Sequence, residues 1–295
     1  METVCHYTTI ESFLKMVENI SCHEGKCCLT FWATSIYAMN DPSEFLYGYN
    51  LLKESVLPGI EKELGITENS LKLSNVWNNF IGRTKPQGEV DDLIDYIYGN
   101  HETPFIVSFS KKKDFLPMWN TYSNKGRGVC LCFNNKEYAL NKNDIADSKI
   151  LNKLHAMDVS YGEIDEVIRG SIKNIYEEYY QNYKGISDKQ QQVVTMTNIL
   201  ITLIVVFSPK HKTYDYEQES RLVELKKGNK DVKYRCSKNG RLIPYIEVNV
   251  KLEYLEKIIV GPCVDSESVI RELKNLLIPY NITKIEPSSI PYREY

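Results

Sequence analysis

The sequence predicts an α+β fold. Apolar strands and amphipathic helices follow one another without regular βαβ alternation, which argues against a doubly wound parallel sheet. The segment 129–133 is nearly all apolar, as a central strand requires. The composition, 42% hydrophobic and 25% charged, is that of an ordinary globular chain, and 295 residues suffice for a substantial core.

Each element has a local reason. A first strand is expected at 5–9. Thr8 or Thr9 can cap the helix that follows at 10–19, where Ile10, Phe13, Leu14 and Val17 recur at helical spacing. Residues 29–33 read as a strand. Asp41 is biased out of the helical region by Pro42, and Pro42 can open a helix. From 44 to about 100 the chain reads as helical stretches at 51–64, 71–81 and 90–98, separated by Gly65, Gly82 and a turn at 85–88. Residues 103–110 form a strand with Pro104 at its tolerated start. A charged loop, 111–115, precedes a short helix, 116–122. Trp119 and Tyr122, three apart, share one face of it.

Residues 144–157 fit either a strand or a helix. Long helices are expected at 165–183 and 188–207, strands at 245–250, 255–260 and 283–285, and a helix at 266–277. The longest apolar run, 193–207, is shorter than the ~18–20 residues of a membrane span, so no membrane association is expected.

The stretch 214–223 carries the densest chemistry. Read as a strand, it projects Glu217, Glu219 and Arg221 to one face and Tyr216 and Leu222 to the other. Two carboxylates and a guanidinium are costly to bury unless they pair or serve a site. A solvated strand edge is the plainer alternative.

The net charge of −3 gives no general field for binding polyanions. Lys111–Lys113 and the cluster Lys210, His211 and Lys212 offer local phosphate contacts or are simply solvated. The first residues lack a basic stretch followed by an apolar one, so a cytoplasmic setting with all eight cysteines reduced is expected. Cys130 and Cys132 alternate in an apolar strand and read as buried side chains. Cys5, His6, Cys22, His23, Cys27 and Cys28 match no standard finger spacing, so no metal is assigned to them.

P-loop, GxGxxG, GxSxG and HExxH signatures are absent. What stands out is a set of polar residues at strand ends: His6, Ser108, Ser110, Glu217 and Glu219. Histidine and serine can bind ribose hydroxyls, and Trp119 or Tyr122 can stack a flat heterocycle. A glutamate can stabilise positive charge developing on a ribose carbon. Core packing is the competing reading for His6, Trp119 and Tyr122.

Several motifs occur together in order. They are His6-Tyr7-Thr8, the segment 39–45 with Asn40-Asp41-Pro42, Ser108-Phe109-Ser110, Met118-Trp119 with Tyr122 and Gly126-Arg127-Gly128, Glu217-Gln218-Glu219 with Arg221, and a closing Gly261-Pro262. In this the chain resembles the bacterial family catalogued as domain of unknown function 2971, over most of its length. That family is distantly similar to the ADP-ribosyltransferases.

The resemblance implies a single domain over 1–295 with split antiparallel sheets of ADP-ribosyltransferase type and helical insertions at about 46–100 and 162–207. It implies an ADP-ribosyltransferase using NAD as substrate. His6, with Tyr7, Thr8, Asn40, Ser108, Ser110, Trp119, Tyr122 and Arg221, would hold NAD. Tyr122 and the pair Glu217 and Glu219 would be catalytic, Glu219 looking like the catalytic glutamate although the two are hard to rank. Trp119 competes with Tyr122 for stacking nicotinamide, and Arg221 is expected to pair with one of the glutamates. The acceptor would be a protein or a nucleic acid. A toxin or anti-phage setting, with an antitoxin partner, is implied in the same way. A non-catalytic nucleotide-binding module, an NAD glycohydrolase and a thiol- or metal-dependent hydrolase remain as alternatives.

Overall fold

The computed structural model describes residues 3–39, 44–67, 102–134, 155–182, 209–227, 231–237 and 239–292. The chain is mixed α+β and divides into two compact units. One comprises Met1–Ser35, Pro104–Asp158 and Tyr216–Tyr295, the other Ile36–Thr103 and Val159–Asp215. The stretches expected to be helical insertions fall within the second unit.

The first unit is built on an eleven-stranded, mostly antiparallel sheet. Its strands are β1 (Thr3–Thr9), β2 (Ser21–His23), β3 (Lys26–Ser35), β4 (Glu102–Ser110), β5 (Gly128–Asn134) and β6 (His155–Asp158). After β7 (Ser160–Tyr161) and β8 (Pro209–Lys210), which belong to the second unit, come β9 (Glu219–Lys227), β10 (Lys233–Cys236), β11 (Leu242–Lys251), β12 (Leu255–Val260) and β13 (Ile285–Pro287). The order is β10-β11-β3-β4-β1-β5-β12-β13, with β2 on β3 and β9 joining β4 to β6. Within this sheet β12 and β13 run parallel, as do β7 and β8 in the second unit.

β1 and β5 lie at the centre because apolar side chains occupy both of their faces. Val4, Val129, Leu131 and Phe133 enter the main core with Phe31, Phe109 and Leu222. The helices Ile10–Glu18 and Ser266–Leu277 cover that side through Phe13, Val17, Leu273 and Leu277. Both helices are capped as their sequences ask: Thr9 accepts from the Ser12 backbone N–H at 3.1 Å, and Asp265 accepts from that of Ser268 at 3.3 Å. The opposite side of β1 and β5 presents Cys5, Tyr7, Cys130 and Cys132 to the helix Leu116–Tyr122.

Two positions between Ser123 and β5 require glycine. Gly126 has φ +80°, and a side chain at Gly128 would collide with the Thr8 carbonyl and the Ser123 Cβ. Gly261 donates to the Gly128 carbonyl at 2.9 Å, and a side chain there would collide with the Gly126 carbonyl.

One expectation about the cysteines is corrected. Cys22 and Cys27 are direct partners across the β2–β3 hairpin and form a disulfide, so the eight are not all reduced thiols. The cause is local: Glu24 and Gly25 both take positive φ, and this tight turn sets the two strands in that register.

In the second unit, the helix Glu44–Leu51 continues through a π-helical turn, Leu52–Val56, into the helix Leu57–Glu63. Leu52, Leu57 and Ile60 are buried. Arg169 and Lys173 of the helix Glu166–Asn182 both pair with Glu63. The Tyr47 hydroxyl donates to the Gly162 carbonyl at 2.9 Å. The helices expected at 71–81, 90–98 and 188–207, and Asn40, lie outside the described residues. Among the described residues no helix is long and apolar enough to cross a membrane.

Candidate functional site

The first unit holds six buried polar or charged side chains where β4, β9 and the helix Leu116–Tyr122 meet. They are Ser110, Ser123, Glu217, Glu219, Ser220 and Arg221, each no more than 5% exposed. Charges so placed must be answered by partners.

Here the expected strand geometry is corrected. Glu217 is not on the strand. It ends a 3-10 helix, Lys212–Glu217, and Gln218 takes φ +44° before β9 begins at Glu219. Glu217 and Glu219 therefore do not share one strand face by alternation. The kink is held from β4: the Lys111 backbone N–H donates to the Gln218 carbonyl at 2.8 Å, and the Ser110 hydroxyl donates to the Glu217 carbonyl at 2.5 Å.

The two carboxylates have different partners. Glu219 is gripped by Arg221, with Nε to Oε1 at 2.8 Å and the second guanidinium nitrogen to Oε2 at 2.9 Å. This is a two-bond fork with no exposed guanidinium surface. Glu217 instead accepts from the Tyr122 hydroxyl through Oε1 at 2.8 Å. Burial, and after it the charge of Glu217, push the Tyr122 phenol well above its ordinary value of 10.0. Tyr122 therefore stays a protonated donor at neutral pH.

The helix that carries Tyr122 is anchored at its start. Before it, the Tyr7 hydroxyl donates to the Lys112 carbonyl at 2.8 Å and accepts from the Phe115 N–H at 3.0 Å. Asp114, at φ +48°, accepts from Trp119 Nε1 at 2.9 Å and from the Ser288 and Ser289 hydroxyls at 2.6 and 2.7 Å. Burial raises the Asp114 pKa, but the hydrogen bonds from Ser288, Ser289 and Trp119 outweigh it and hold the carboxyl below its usual value. Sequence reasoning missed Asp114. Its only signal is an acid set between a lysine run and an aromatic.

The structure brings together Ser110, Tyr122, Glu217, Glu219 and Arg221, and it seats Tyr7 beneath their helix. It does not bring His6 to them. By alternation His6 lies on the other face of β1, its ring 5.1 Å from Phe31 and 5.5 Å from Phe109, with Nδ1 2.9 Å from the Ser108 carbonyl. Thr8, on that same side of β1, is buried. Ser108 is half-buried on β4. Trp119 is fully buried and meets Tyr7 edge-on at 4.9 Å, so the protein itself occupies its faces. The basic clusters are partly committed: Lys111 pairs with Asp158 at 2.8 Å, and the buried Lys210 lies over the Tyr214 ring.

A pH dependence of stability follows. Burial lowers the His6 pKa below 6.5, and the Ser108 carbonyl only partly offsets it. The folded state thus prefers neutral His6, and this contribution is full above pH ~6.5 and falls as pH drops below it. At the other end, Tyr7 and Tyr122 both have raised pKa values, chiefly through burial. Their contribution is full below pH ~10 and is lost as pH rises beyond it. Urea unfolding across pH should show both limbs. His6→Phe should flatten the acid limb between pH 6.5 and 5, and an unchanged limb would count against the buried neutral histidine.

A family model described as protein of unknown function, DUF2971, matches residues 118–222. The match opens on the helix that carries Tyr122 and closes just beyond Arg221. Over that segment the chain is similar to the family. No curated protein and no solved structure matches the chain. The DUF2971 match thus spans every residue of the buried cluster except Ser110.

Proposed function

We propose that the Tyr122–Glu217 pair is the reactive centre of an NAD-dependent ADP-ribosyltransferase. The observation that carries this reading is the division of labour between two buried carboxylates. Glu219 has both oxygens in a fork with Arg221, whereas Glu217 meets a neutral phenol at 2.8 Å. A carboxylate tied to a guanidinium through both oxygens is spoken for. A carboxylate that accepts from a neutral phenol can exchange that bond for one to substrate. Of the two glutamates, Glu217 therefore takes the reacting role and Glu219 the supporting one.

The bond between the ribose anomeric carbon and nicotinamide breaks with its electron pair leaving on nitrogen. Nicotinamide departs neutral, and the Glu217 carboxylate stabilises the oxocarbenium ion that remains. A nucleophile of a protein or nucleic-acid acceptor then attacks the anomeric carbon and loses its proton to buffer or to Glu217. Water in place of the acceptor gives an NAD glycohydrolase. Tyr122, kept protonated, orients the carboxylate. His6, on the other face of β1, takes no part, so the adenosine end of NAD must be held by other groups. Consumption of NAD would slow growth, which fits a toxin or defence effector held in check by an antitoxin.

A second reading, a non-catalytic module, is favoured by one observation: Glu217 is 2% exposed and Glu219 5%. Isotope-labelled NAD, purified protein and a cell lysate as acceptor separate the two. Nicotinamide release with label transfer is the expected result. NAD binding without release supports the module, and no binding removes NAD from the account.

A further inference from the structure

The sheet face beneath the helix Leu116–Tyr122 carries a second feature, independent of the carboxylates. Cys5 of β1 stands opposite Cys132 of β5, and Tyr7 stands opposite Cys130. Residues two apart on a strand share a face, so three thiols converge on one spot. Cys5 Sγ is 3.5 Å from Cys132 Sγ, and Cys130 Sγ is 3.9 Å from Cys132 Sγ. All three sulfurs lie within 4.8 Å of one another. All three cysteines are fully buried.

Apolar packing asks only for volume at such positions, and valine or alanine would supply it. A metal asks for this convergence. Three sulfurs around one ion at metal–sulfur distances of about 2.3 Å stand about 4.0 Å apart in a trigonal plane. Two of the separations, 3.5 and 3.9 Å, lie just below that figure, and the third is no more than 4.8 Å. Among the described residues, no fourth histidine, cysteine or carboxylate joins the group. The neighbours are Met118, Trp119 and Ile259, which keep water away. On β12, Lys257 stands opposite Cys132 and supplies a positive charge beside the sulfurs while pairing with Glu286.

We propose that Cys5, Cys130 and Cys132 form a three-coordinate thiolate site for a soft, univalent d10 cation, with Cu(I) as its natural occupant. Thiolates select such ions, whereas zinc in a structural site takes a fourth ligand, and among the described residues no fourth one stands at this cluster. On binding, three S–H bonds give way to three metal–sulfur bonds, and the protons pass to buffer. Lys257 offsets part of the remaining negative charge. The cluster is distinct from the disulfide of Cys22 and Cys27 and from the three other thiols, Cys28, Cys236 and Cys263.

The test is anaerobic titration of the full chain with Cu(I) against a chromogenic Cu(I) chelator, followed by X-ray absorption of the loaded protein. One equivalent per chain, held by three sulfur scatterers and no lighter atoms, is expected. The double variant Cys130→Ala/Cys132→Ala should lose that equivalent. The triple variant Cys28→Ala/Cys236→Ala/Cys263→Ala should keep it. The wild-type spectrum stands without any variant, so a folding defect cannot hide the answer. No tight equivalent, a four-coordinate ion, or binding that survives the double variant and vanishes in the triple one would each overturn the assignment.

Discussion

Arg221→Met should destabilise the first unit by about 3–5 kcal/mol, the range for removing one partner of a buried ion pair. The guanidinium has no solvent exposure and spans both oxygens of Glu219. Without it, Glu219 keeps a buried charge with its strongest partner gone, and Leu222 beside it stays in the core and cannot move aside. Replacing both members, as Glu219→Leu/Arg221→Met, should recover most of the loss, because two apolar side chains need no compensation. The exposed pair Lys15–Glu11, at 2.8 Å and i,i+4 spacing, is the contrast. Lys15→Ala should shift stability by no more than ~0.5 kcal/mol. Urea unfolding of the four proteins checks the ordering, and a small loss for Arg221→Met would mean that water reaches Glu219.

Gly128→Ala should be as severe, at about 3 kcal/mol, the upper end of the cost of overpacking. The added methyl would meet the Thr8 carbonyl, its carbonyl carbon and the Ser123 Cβ. The first two are backbone of the central strand β1, so relief requires β1 and β5 to part where Thr9 faces Gly128. Gly261→Ala should behave alike, since its methyl would strike the Gly126 carbonyl. Gly25→Ala is the useful comparison. Its φ is +78° and nothing lies within 4 Å, so only backbone strain of about 1 kcal/mol is expected there. Thermal unfolding of the three variants separates crowding from strain.

Much of the fold was legible in the sequence where one local rule decided it. The apolar run at β5, the helix Leu116–Tyr122, the helix Ser266–Leu277 and strand β12 fall where periodicity and composition place them. The pairing of Arg221 with one of the glutamates was legible too, because a buried guanidinium needs an acid and two stand close in sequence. What was not legible depends on register and on contacts distant in sequence. Alternation would put Glu217 on the strand, but a positive φ at Gln218, held by Ser110 and Lys111, rotates it into a helical turn. Glutamine carries no such signal. Likewise His6 and Tyr7 are one residue apart, and only the packing of β1 shows that the histidine faces phenylalanines while the tyrosine faces the helix of Tyr122. The thiol cluster is hidden for the same reason: Cys5 and Cys132 are 127 residues apart and meet only through strand pairing.

The division between the two glutamates is the centre of the functional account, and one paired measurement tests it most directly. Glu217→Gln and Glu219→Gln are compared for nicotinamide release from NAD and for thermal unfolding. Glu217→Gln should keep the wild-type melting temperature and lose turnover by roughly 10²–10³-fold, the scale of removing a charge aimed at a developing transition state. Glu219→Gln should melt several degrees lower, because Arg221 is left without its carboxylate partner. Full turnover in Glu217→Gln, or a lower melting temperature there with Glu219→Gln unaffected, would contradict the account.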